Sequence, residues 1–187
     1  MDTRDYVSLT LLAANGEIQG KTKLQKIVYF VGVLADSLEE LGYRAHFYGP
    51  YSDRVANAVG QLKSSGVIDQ NVSDWGYDRS GFEVKRYDFR LSAAGRTYAE
   101  KLASRCGDEW ERIRSAVETY NAAGDRDYMS LSIAAKTYFM LGQNKGRANK
   151  SSLVELARRF GWSVNEEQID DAANYLETLG LVELEAE

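Results

Sequence analysis

The chain predicts a mainly α fold with a small antiparallel β hairpin. It divides into a winged-helix-like N-terminal unit, a helical connector and a second, smaller unit that is helical or winged-helix-like. Three observations carry this. Lys21 to Gly42 places apolar residues at helical spacing, Tyr48-Gly49-Pro50-Tyr51-Ser52 turns the chain into another helix, and Tyr87 to Leu91 alternates as a half-buried strand does. Helix, turn, helix and then a hairpin is the order of a helix-turn-helix followed by a wing.

The elements follow in order. Tyr6 to Ala14 is a short helical block closed by Asn15-Gly16. Thr22 stands three residues before Gln25, the spacing of a capping box, and opens the longest helix. Leu24, Ile27, Val28, Val31, Leu34, Ala35 and Leu38 form its inner face, with Lys23, Lys26, Asp36, Glu39 and Glu40 mostly opposite and Gly42 at its end. Arg44 to Tyr48 is short and aromatic enough for a strand. Ser52 caps a helix over Asp53 to Ser65 that buries Val55, Ala58, Val59 and Leu62 and closes at Gly66.

Val67-Ile68 starts a strand, Asp69 to Gly81 reads as a polar loop, and Tyr87, Phe89 and Leu91 return as the second strand of the wing. Ser92 caps a helix through Leu102, continued by Asp108 to Tyr120, and the polar run Asn121 to Asp127 marks the boundary. Residues 1–105, 106–127 and 128–187 are thus the three predicted parts. Beyond the boundary, Leu131 to Leu141, Ser152 to Phe160 and Glu166 to Leu179 are helical and Leu181 to Leu184 is a strand. A single domain, with these last helices packed on the first unit, is the alternative.

Composition narrows the function. Hydrophobic residues make up 44% and charged residues 27%, and no apolar run reaches the roughly 20 residues that span a membrane. Met1 to Asn15 has acidic residues and no long apolar centre, so a cytoplasmic protein without membrane contact is expected. One cysteine, Cys106, excludes an internal disulfide and a thiolate-rich zinc site, and reads as a packing residue. The net charge of -5 argues against broad affinity for nucleic acid, yet it is uneven: 14 basic against 13 acidic residues up to Arg105, then 9 against 15.

Catalytic signals are absent, and neither a cofactor nor a metal is expected. Gly16-Glu17-Ile18-Gln19-Gly20-Lys21-Thr22 has three residues between its glycines where a phosphate-binding loop has four, and it follows a helix where that loop follows a strand. His46, the single histidine, has no Cys or carboxylate partner at a telling spacing. Glu166, Glu167, Asp170 and Asp171 lie a helical turn apart, as a solvated acidic face does. Binding residues are easier to nominate. Arg54, Asn57 and Gln61 share one face of the predicted recognition helix, with Lys63 near its end, and these residue types read bases. Arg79, Lys85, Arg86 and Arg90 on the wing and Lys21, Lys23 and Lys26 on the long helix would contact phosphates. The same residues also describe an ordinary exposed polar face.

Tyr29 and Phe30 read as core. Tyr48 and Tyr51 beside the turn read equally as packing or as a protein-binding surface. The acidic residues Glu166, Glu167, Asp170, Asp171 and Glu177 would repel phosphates, so with Arg158 and Arg159 they suit a protein contact or a homodimer.

Lys23-Leu24-Gln25-Lys26-Ile27-Val28-Tyr29-Phe30, Tyr48-Gly49-Pro50-Tyr51-Ser52 and Phe89-Arg90-Leu91-Ser92-Ala93-Ala94-Gly95 resemble the YwgA-like proteins and, more distantly, the SocA-like antitoxins with a Panacea domain. The resemblance covers about the first hundred residues and not Asn121 to Glu187. It implies a winged-helix-like domain that neutralises or delivers a protein toxin, or regulates transcription. The expected protein is therefore non-enzymatic and binds a macromolecule: a toxin-like partner or a second copy, with operator DNA open as a further contact. A dedicated winged-helix transcription regulator is the alternative, and an enzyme working through carboxylates is a third.

Overall fold

The computed structural model describes residues 1–77, 83–143 and 149–183. Among them are eight helices and three strands. The order is α1 (Thr3–Ala13), β1 (Glu17–Gln19), α2 (Lys21–Leu34), α3 (Leu38–Leu41), α4 (Asp53–Ser64), β2 (Ile68–Tyr77), β3 (Glu83–Leu91), α5 (Ala93–Ala122), α6 (Tyr128–Gln143), α7 (Lys150–Arg159) and α8 (Glu166–Thr178). The fold is mostly helical with one antiparallel sheet in the order β1-β3-β2. This order, with α1, α2 and α4 before the hairpin, is compatible with a winged-helix plan.

The core begins with α2. From Leu24 to Gly32 every residue is buried, because the helix lies among α1, α5 and α6 and has no fully solvated side along that stretch. Tyr29 and Phe30 are core as expected, and each large apolar side chain so buried contributes about 1.5–3 kcal/mol. Phe30 meets Tyr175 of α8 edge-on at 6.1 Å, and Tyr29 meets Tyr43 at 5.1 Å. The main core therefore runs from the N-terminal helices into α6 and α8 without a break. A smaller cluster of Met140, Leu153, Ala157, Trp162 and Ile169 lies among the last three helices.

Several expectations change. Thr22 does not cap α2: Gly20 is its N-cap and no side chain bonds there. Gln25 instead donates from Nε2 to the Ser52 carbonyl (3.0 Å) and accepts from the Ser52 amide (3.1 Å), clamping the entry to α4. The long helix stops at Leu34, where Asp36 takes a positive φ of 53°. The short α3 follows and ends at Gly42, whose φ of 64° suits a residue without a β-carbon. Arg44 to Tyr48 is no strand, because only the Arg44–Tyr51 bridge forms and the residues between them are spent on the turn. The short β1 went unread, since three residues carry too little periodicity to show.

The polar segment after Ile68 is strand rather than loop as far as Tyr77, paired residue by residue with β3 from Ile68–Leu91 to Asp74–Lys85. A projecting ribbon exposes both faces, so its polarity mimics a loop while the backbone ladder holds it extended. Ser92 caps α5 as expected, and α5 runs as one element to Ala122 with a kink at Gly107. Leu181 to Glu183 forms no strand, having no partner strand among the described residues, and Leu184 lies outside them.

Ser52 performs its expected capping role. Its hydroxyl accepts from the Val55 amide (3.0 Å) and donates to the Leu41 carbonyl (2.5 Å), with the side chain fully buried. Ser52→Ala removes both bonds, and a loss of about 1–2 kcal/mol in urea unfolding is expected.

Candidate functional site

Residues from α2, α4, the 46–51 turn and the sheet enclose a hollow of about 340 Å³. Its described lining includes Lys21, Lys26 and Lys63, together with the imidazole of His46, and among the described residues no carboxylate lines it. Tyr48, Tyr51, Val59 and Phe89 supply aromatic and aliphatic surface. Lys26 is 1% exposed, and its ammonium donates to the Pro50 carbonyl at 2.6 Å. Burial, with a smaller contribution from Lys136, lowers its pKa to about 7. Nothing in the sequence flagged this, because Lys26 sits where a solvated lysine would sit if the helix had an outer face. The DNA-phosphate contact given to Lys26 is thus corrected: a side chain 1% exposed and bonded to Pro50 does not reach a nucleic-acid backbone.

The other nominated cations are mostly engaged within the chain. Arg90 binds Glu17 (2.6 Å), Arg86 binds Asp88 (2.9 Å), and Lys23 pairs with Asp125. The Arg90 guanidinium holds Glu17 below its usual carboxylate range. Lys21 lies 3.9 Å above the Tyr87 ring, and Lys63 reaches Gln70 at 3.3 Å. Lys85 is exposed, and Arg79 lies outside the described residues. On α4, Arg54, Asn57 and Gln61 are all exposed on one side, with Arg54 donating to the Glu40 carbonyl at 2.8 Å.

Among the described residues the 46–51 turn is the most exposed aromatic feature. Phe47 is 70% and Tyr48 50% exposed, their rings edge to face at 5.0 Å, whereas Tyr51 is half-buried and lies 4.9 Å from the His46 ring. Its backbone is held from three sides. The Arg44–Tyr51 bridge closes it, Trp162 donates from Nε1 to the His46 carbonyl (2.7 Å), and Gly49 lies against the Ser132 carbonyl and the Lys136 side chain. Gly49 has φ 91° and so little room that a β-carbon would press on that carbonyl.

On the C-terminal helices, Glu166, Glu167, Arg158 and Arg159 are exposed, with Arg159 bound to Glu155. Lys150 binds Asp170 and Arg126 binds Asp171, so these two carboxylates are neutralised internally. Among the described residues no group of three or more His, Cys, Asp or Glu is arranged to hold a metal ion. Cys106 is partly buried, and burial together with Glu109 and Asp5 pushes its thiol up, away from the reactive thiolate. The glycine-bearing segment before α2 does contain a strand, β1, but the strand lies between the glycines rather than ahead of them.

These features define a mainly helical protein with a small sheet, a cation-lined hollow and an exposed aromatic turn. No family model matches the chain. It is similar to the uncharacterized protein YwgA of Bacillus subtilis (strain 168), at 23% identity over 171 residues, covering 91% of this chain and 93% of that protein. The similarity therefore extends well past the first hundred residues and takes in most of the segment after Asn121. No described helix is long and apolar enough to cross a membrane.

Proposed function

We propose that this is a non-enzymatic, antitoxin-like or regulatory protein that holds a protein partner through the Phe47-Tyr48 turn. One observation carries the proposal: two adjacent aromatic side chains stand exposed on a turn whose backbone is fixed by Arg44, Trp162 and Ser132. Exposed aromatics on a preorganised backbone are what a binding hot spot requires, because little conformational freedom is lost on association. The resemblance to SocA-like antitoxins agrees with such a role.

The test is co-expression with the products of the adjacent genes, followed by size-exclusion chromatography. Co-elution of one of them with the wild type, and its loss with Phe47→Ser/Tyr48→Ser, is expected. The chain emerging alone from its native host would count against a stable partner.

A second reading, operator binding, is favoured by the exposed alignment of Arg54, Asn57 and Gln61 on α4. It has less behind it, because Arg86 and Arg90 of the hairpin are bound to Asp88 and Glu17. Salt-dependent shifting of its own promoter fragment, abolished by substituting all three α4 residues, is the result it requires.

A further inference from the structure

We infer that the hollow between α2, α4 and the 46–51 turn is a binding site for a small organic anion, a carboxylate or phosphate carried on a flat apolar body. This does not rest on the protein-partner proposal. In a chain of net charge -5, the hollow gathers Lys21, Lys26 and Lys63 with no carboxylate among its described lining residues. None of the three lysines pairs with a carboxylate among the described residues, while most other basic side chains near the sheet do. Among the described residues the buried Lys26 ammonium has one acceptor, the Pro50 carbonyl, for its three donors. Thr22, in the first turn of α2, also lines the hollow, and that helix start has no side-chain cap, so its amide dipoles add to the positive field.

Beside the cations, Tyr48, Tyr51, Val59 and Phe89 also line the hollow and give apolar surface for a ring. The volume, about 340 Å³, lies at the small end of the range for ligand pockets, roughly 300–1,000 Å³. An ammonium with so few protein acceptors gains most from a ligand that brings both charge and acceptor oxygens. Lys26 is also poised near neutrality, so such an anion draws a proton onto it as it binds.

The probe is 8-anilinonaphthalene-1-sulfonate, followed by its fluorescence, beside its uncharged relative N-phenyl-1-naphthylamine. Saturable binding of the sulfonate to one site is expected, with the uncharged probe at least about tenfold weaker. Lys21→Gln/Lys63→Gln alters only side chains at the rim and is expected to weaken the sulfonate by about tenfold or more, while Lys101→Gln on α5 leaves it unchanged. Lys26→Met is expected to weaken it as well, and the rim variant decides the matter if Lys26→Met fails to fold. Benzoate should displace the probe at lower concentration than inorganic phosphate does, since it also fills the apolar half. Equal binding of the two naphthyl probes, or indifference of the sulfonate to the rim variant, overturns the proposal. Displacement by hexaglutamate far below the benzoate concentration also overturns it, assigning the hollow to an acidic peptide.

Discussion

Lys26→Met is expected to remove a pH dependence of stability that the wild type carries between about pH 7 and 10.5. Burial beside Lys136 lowers the folded-state pKa of Lys26 from 10.5 to about 7. Within that window the unfolded chain holds a proton that the folded chain has released, so wild-type stability rises with pH by about 1.4 kcal/mol per unit. Below pH 7 both states are charged and the full burial penalty persists; above 10.5 both are neutral and it is gone. Lys21, Lys63 and His46 line the same hollow, and among the described residues no carboxylate there offsets the penalty. Met lacks this slope but forfeits the bond to the Pro50 carbonyl, a pH-independent loss of about 1–3 kcal/mol. The variant is therefore expected to be the more stable protein at pH 6 and the less stable at pH 10. Buried tyrosines such as Tyr29 and Tyr120, whose pKa values burial raises, titrate alike in both chains and cancel in the difference. Urea unfolding at pH 6, 8 and 10 measures it, and parallel pH profiles for the two chains would show that Lys26 is not desolvated.

Gly95→Ala is expected to have the opposite sign from the usual glycine replacement in a helix. A helical Gly→Ala change ordinarily gains about 0.5–1 kcal/mol. At Gly95 the new methyl would lie far inside contact distance of the Val67 carbonyl oxygen, where α5 crosses the start of β2. That carbonyl already accepts from the Ser92 amide at 3.0 Å, so it cannot retreat without loosening the cap of α5. Overpacking against backbone outweighs propensity, and a net loss of about 3 kcal/mol is expected, a fall in Tm of roughly 6–12 °C for a chain of this size. Gly60→Ala on α4 is the control: nothing lies within 4 Å of its new methyl, and a gain of about 0.5–1 kcal/mol is expected. Calorimetry on the pair separates steric from conformational effects, and a stabilised Gly95→Ala would contradict the packing described.

The helices were legible where one face was apolar. In α4, Val55, Ala58, Val59 and Leu62 are buried while Arg54, Asn57 and Gln61 are exposed, so period and burial coincide. Ser52 and Ser92 were readable as caps because capping is a local exchange between a hydroxyl and an amide three residues on. What was not legible depended on distant partners. Lys26 looked solvated because a lysine on a helix usually is, whereas its ammonium bonds the Pro50 turn, 24 residues away. Residues Asp69 to Tyr77 looked like a loop because pairing with β3, rather than hydrophobic alternation, makes them a strand. The cation-lined hollow was invisible for the same reason. Its lysines are scattered from Lys21 to Lys63 and meet only when α2, α4 and the turn are assembled.

The bond from Trp162 to the His46 carbonyl spans 116 residues. During synthesis, the peptide group that fixes the aromatic turn has no donor for it until most of the chain has left the ribosome. A nascent chain that has exposed α1 to α5 alone carries Phe47 and Tyr48 on a turn closed by the Arg44–Tyr51 bridge but not yet tied to Trp162. The turn is thereby anchored on all its sides only in finished molecules, and a product truncated before α7 would lack the Trp162 bond.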